Sequence, residues 1–105
     1  MPSTMNQMQA RPVLMLPAVL DLTESASLKR SLQDSLVRGE GLAVNARHVS
    51  RVSSPCLQVL AAATRAFTAS GGPGLRIEAA SDAFRDTVSA LGLAPLFGLQ
   101  ESNRE

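Results

Sequence analysis

Arg51-Val52-Ser53-Ser54-Pro55-Cys56-Leu57-Gln58-Val59-Leu60 runs from a polar turn into an apolar, alanine-rich segment, and its reading decides the fold. A serine, a proline and then apolar residues at helical spacing form a helix start, with Ser54 as the cap and Pro55 at the first helical position. Leu57, Leu60, Ala61, Thr64 and Phe67 share one face of the helix that follows, which runs from about residue 55 to 69. Gly71-Gly72-Pro73-Gly74 ends it.

Working outward, a short apolar strand is expected on either side. Upstream, Leu42-Ala43-Val44-Asn45-Ala46 reads as a buried strand released by Gly39 and Gly41. Downstream, Leu75-Arg76-Ile77-Glu78-Ala79 alternates as a strand with one wetter face. Val13-Leu14-Met15-Leu16 is a third strand, stopped by Pro17. Between the first two strands in sequence lies a helix that Thr23 is expected to cap, with Leu28, Leu32 and Leu36 on its core face and Arg30, Asp34 and Arg38 opposite. Ser81 caps a last helix whose Phe84, Val88 and Leu91 share one side, and Gly92-Leu93 has the form of a Schellman ending. Strands alternating with helices and joined by short loops specify one α/β domain, with a mixed, mainly parallel sheet and helices packed on it. The domain is expected over residues 12–98, between a flexible tail at 1–11 and a polar tail at 99–105.

Composition narrows the function. The chain has 105 residues, 45% of them hydrophobic, enough for one core. Ten basic and nine acidic side chains leave a net charge of +1, and there is no Trp or Tyr. Nucleic-acid binding lacks both its basic footprint and its stacking platforms. The apolar stretch Val13 to Leu20 is too short to insert in a membrane. Sparse cysteine usage suits a reducing compartment, so a cytoplasmic location is expected. The single cysteine, Cys56, allows no intrachain disulfide.

Catalytic patterns are weak. His48 is the only histidine, set among Arg47, Val49 and Ser50 with no partner pattern for a triad or a metal, so no catalytic residue and no metal ligand is assigned. Gly71-Gly72-Pro73-Gly74 precedes a strand and lacks the lysine of a phosphate loop, so it presents no helix N–H groups to a nucleotide. Asp21 and Glu24 stand near a helix start, where negative charge is favourable in any case. No enzyme and no cofactor is expected. The second helix does carry a small-residue face of Val59, Ala62 and Ala66, margined by Gln58 and Arg65, which packs under a neighbour or receives a partner.

Taken in order, these segments resemble a STAS domain, the fold of the anti-sigma factor antagonists. Leu16-Pro17-Ala18-Val19-Leu20-Asp21 resembles the family's Leu-x-Gly-x-Leu-Asp, with Ala18 where glycine is usual. Ser53 to Leu60 resembles its Asp-Ser-Ser-Gly-Leu-x-x-Leu switch segment, with Ser53, Pro55 and Cys56 replacing aspartate, serine and glycine. Phe84 to Leu93 with Leu96-Phe97 is similar to its closing helix and Gly-Leu-x-x-x-Phe ending. The resemblance implies a non-enzymatic signalling module that binds a partner kinase, with Ser54 in the place of the phosphorylated serine. The Pro-Cys-Leu-Gln-Val-Leu form looks like a chemotaxis-associated subset, whose partner is a chemotaxis histidine kinase rather than an anti-sigma kinase. The partner surface it implies comprises Ser53, Ser54, Pro55, Cys56, Gln58, Val59 and Ala62. The alternative is a constitutive STAS subunit of a lipid-transport ATPase complex, and a homodimer is compatible with either.

Overall fold

The computed structural model describes residues 12–72 and 74–99. The tail expected at 1–11, and all of the C-terminal tail except Leu99, lie outside the described residues. β1 (Val13–Met15), β3 (Leu42–Asn45) and β5 (Leu75–Glu78) form a three-stranded sheet in the order β1-β3-β5. β2 (Val19–Leu20) and β4 (Arg51–Val52) pair separately, and every strand pairing among the described residues is parallel. The helices are α1 (Ser25–Arg38), α2 (Ser54–Ala69) and α3 (Asp82–Ala90).

Register gives the sheet two unlike faces. Leu14, Val44 and Ile77 align across the three strands and join the core. The alternate rows, Val13-Ala43-Arg76 and Met15-Asn45-Glu78, point the other way, and their outer members are exposed. Both crossovers, β1 to β3 through α1 and β3 to β5 through α2, step in the same direction along the sheet. Right-handed connections then place both helices on one face, where they pack against each other.

Leu28 and Leu32 of α1 and Leu57, Leu60, Ala61 and Phe67 of α2 fill the space above that face. Gly39 closes α1 in the left-handed region, with its N–H on the Ser35 and Leu36 carbonyls. The expected Schellman ending of α3 is present: the Gly92 N–H donates to Ser89 O and the Leu93 N–H to Val88 O. Phe84 and Phe97 approach with ring centroids 6.4 Å apart.

One expectation is corrected. α1 is not capped by Thr23; a 3₁₀ turn over Leu22–Glu24 precedes it, and the Asp21 carboxylate caps that turn by accepting from the Thr23 N–H. Aspartate wins because its side chain also accepts the Thr23 hydroxyl at 2.6 Å. At the C-terminal edge of the described chain, Leu99 packs on the core, and its N–H donates to Ala94 O. The chain around residue 19 and around residue 51 forms β2 and β4, two-residue strands without enough length to show a period.

Candidate functional site

The site is built around the start of α2. Four hydrogen bonds fix where that helix begins. The Ser50 and Arg51 N–H groups and the Ser50 hydroxyl donate to Ala18 O, and the Ser53 N–H donates to Leu20 O at 2.9 Å. β4 is thereby laid beside β2, and the chain enters α2 next to the 3₁₀ turn. The Cys56 thiol ties the two together from inside, donating to Asp21 O at 3.2 Å.

The helix start differs from the sequence expectation by one residue. Ser53, extended at φ −86° and ψ 157°, is the N-cap, and Ser54 is the first helical residue. The position is a cap in backbone only: the Ser53 side chain makes no capping bond, and its Oγ is buried with no partner. Pro55 narrows the choice of donors. A cap hydroxyl accepts from the second or third helical N–H; proline at the second position has none to give, and the Ser53 side chain does not take the Cys56 N–H at the third.

Of the residues expected at a partner surface, the structure brings five to the outside. Ser54, Pro55, Gln58 and Ala62 are exposed, and Val59 is half-buried beside them. Cys56 is a correction: it is 0% exposed, within the core cluster, so its thiol serves the helix start and cannot touch a partner. Ser53 is intermediate, with its hydroxyl turned inward. His48 is exposed in the loop after β3. Among the described residues no three His, Cys, Asp or Glu side chains cluster as a metal site would need. No helix among them is long and apolar enough to cross a membrane.

Between α1 and α2 runs a trough of about 430 Å³. Leu32, Leu36 and Phe67 lie along its floor, and Val59, Ala62 and Ala66 form the α2 wall. The trough exists because α2 presents alanine where a larger residue would fill the gap between the helices. Lys29 and Gln33 form the α1 wall, and Lys29 is the only charged side chain among the described residues lining it. Sequence reading missed both, although their spacing of four residues places them on one stripe of α1. A second hollow, about 380 Å³, lies on the other side of α2, where Gln58, Ala61 and Arg65 meet Leu91 and Leu93.

Beside the site stands Asp21, whose titration is displaced downward. The Thr23 hydroxyl bonded to its carboxylate, with help from backbone N–H groups, holds it below the ordinary aspartate range. Asp21 therefore stays ionised while it caps the turn that adjoins α2. Leu22 in that turn is 66% exposed, an apolar side chain unassigned by the sequence pattern.

The chain matches the family described as Mlab, STAS domain, over residues 3–99, and it belongs to that family. No curated protein matches the chain.

Proposed function

We propose that this STAS domain is a non-enzymatic signalling module that docks a partner kinase on the outer side of α2, with Ser54 as the phosphate acceptor. The observation that carries the reading is Ser54 itself. It is exposed in the first turn of α2, at the match to the family's switch serine, and it is relieved of capping by Ser53. Phosphate there would add about −1.5 to −2 charge at the positive end of the α2 dipole, stabilised within the domain but altering the surface offered to a partner.

Capture of an anti-sigma kinase or a chemotaxis histidine kinase by wild type, Ser54→Ala and Ser54→Asp tests the reading. Ser54→Ala is expected to hold the kinase as wild type does, and Ser54→Asp to lose it. Equal recovery by all three eliminates the switch.

A second reading, a constitutive subunit of a lipid-transport ATPase complex, is favoured by Ser53 standing where the switch segment carries aspartate. Stable co-purification with an ATPase subunit, unchanged by phosphatase and by Ser54→Asp, selects it over the first.

A further inference from the structure

In the order β1-β3-β5, the last strand pairs with β3 alone. Gly74 O and Glu78 O accept from the Leu42 and Ala46 N–H groups, so the backbone groups of Leu75 and Ile77 point away from β3. Among the described residues no hydrogen bond reaches those outward groups. Exposure agrees: β3 is buried along its whole length, whereas Arg76 and Glu78 of β5 are exposed and Leu75 and Ile77 half-buried. Arg76 and Glu78 share the sheet face turned away from α1 and α2, and neither makes an ion pair among the described residues. Ala79, left-handed at φ 52°, then turns the chain out of the strand, so the open edge is 4 residues long.

We propose that β5 pairs with β5 of a second copy of this chain, antiparallel about a two-fold axis at Ile77, so that the two sheets become one. The inference goes beyond the docking reading above. It shares no residue with the surface given to the kinase at the start of α2.

The edge selects its own register. Hydrogen bonds form only where outward groups oppose outward groups, which leaves centres at Leu75, Arg76, Ile77 or Glu78. A centre at Leu75 leaves Ile77 beyond the end of the opposing strand. A centre at Arg76 sets that arginine against its own copy, and a centre at Glu78 sets glutamate against glutamate. The centre at Ile77 alone places Arg76 opposite Glu78 of the second copy, and symmetry repeats the pair. Both pairs fall at positions that exchange no hydrogen bond, where Cα atoms approach to about 4.5 Å and side chains lie closest. Charged residues on an edge commonly oppose pairing; here they oppose only the wrong registers. A strand of another protein would have to carry these charges in matching order, which a second copy does by symmetry. Four residues a side fall well short of a standard interface, so the association is weak and concentration-dependent.

Sedimentation equilibrium of the full chain, at concentrations up to about 1 mM, reads the dimer. Wild type is expected to associate within that range. Arg76→Glu sets glutamate against Glu78 of the second copy, and Glu78→Arg sets arginine against Arg76. Each is expected to raise the dimer Kd at least about tenfold, since both symmetry-related pairs turn repulsive. The two variants mixed, or both changes in one chain, restore opposite charges throughout and are expected to recover association close to wild type. Both positions are exposed, so circular dichroism is expected to stay unchanged.

These variants leave Ser54 intact, so the outcome is independent of the kinase capture above. A chain that stays monomeric throughout the range overturns the proposal. So does a dimer that both single variants leave intact, which would place the contact on another surface. A dimer that neither the mixture nor the double change recovers overturns it as well, because the register would then not be set by Arg76 and Glu78.

Discussion

Ser53 and Ser54 divide the work at the start of α2 between backbone and side chain. A serine at an N-cap is ordinarily worth about 1 kcal/mol against alanine, because its oxygen satisfies an orphan N–H. Ser53 makes no such bond, and its hydroxyl is buried without any partner. Leaving a polar group in that state costs roughly 1–3 kcal/mol, so removing it should help. Ser53→Ala is therefore expected to leave stability unchanged or raise it, in contrast to the usual cap loss, as urea denaturation will read. A loss of about 1 kcal/mol or more would mean that Ser53 does cap α2. The one-residue shift also decides which hydroxyl is available for chemistry: Ser54 faces solvent because Ser53 takes the cap position. The sequence pointed to this pair but placed the cap one residue late, since proline is acceptable in either early helical position. Nor could it show that Cys56 is enclosed, because the atoms that enclose it come from Asp21 and other residues distant in sequence.

Elements with their own period or their own punctuation were legible: α1 and α2 from leucine spacing, α3 from Ser81 and Gly92, and β3 from an unbroken apolar run. β2 and β4 were not, because two residues carry no alternation and their pairing joins segments about thirty residues apart. The trough was equally hidden. Its two walls lie on different helices, and the unfilled space is a property of their packing rather than of either sequence. The capping serine of α3 has more to do than its motif states. Its Oγ accepts the Phe84 N–H at 3.1 Å and donates to Val49 O at 2.6 Å, so it both starts α3 and holds the loop after β3. Ser81→Ala is expected to cost about 1–2 kcal/mol, the upper part of the cap range, because the Val49 carbonyl loses its donor as well. Ser81→Asp should restore only part of this, as a carboxylate can accept from Phe84 but cannot donate to Val49. Full recovery in Ser81→Asp would show that the loop bond contributes nothing.

For the molecule as a whole, the question is where the folded unit ends, since a chain this short has little stability to spare. The last described segment has no helix or strand, yet its backbone closes on itself: Phe97 N–H donates to Leu93 O, Gly98 N–H to Pro95 O and Leu99 N–H to Ala94 O. Its side chains enter the core, with Ala94 fully enclosed and the Phe97 ring tilted 42° against Phe84. Phe84 is itself fully buried on α3, so the pair fastens the C-terminal segment to the helix that packs beside β4. If this segment is structural, Phe97→Ala should cost about 3–5 kcal/mol, as truncation of a buried phenylalanine does. Against a total of roughly 5–15 kcal/mol for a typical domain, that is enough to lower the melting temperature by well over ten degrees. Phe97→Leu keeps most of the volume and should cost under about 1.5 kcal/mol. Thermal and urea unfolding of the three proteins give the order wild type, Phe97→Leu, Phe97→Ala. An alanine variant as stable as wild type would place the end of the domain before residue 97 and make the last turn an appendage.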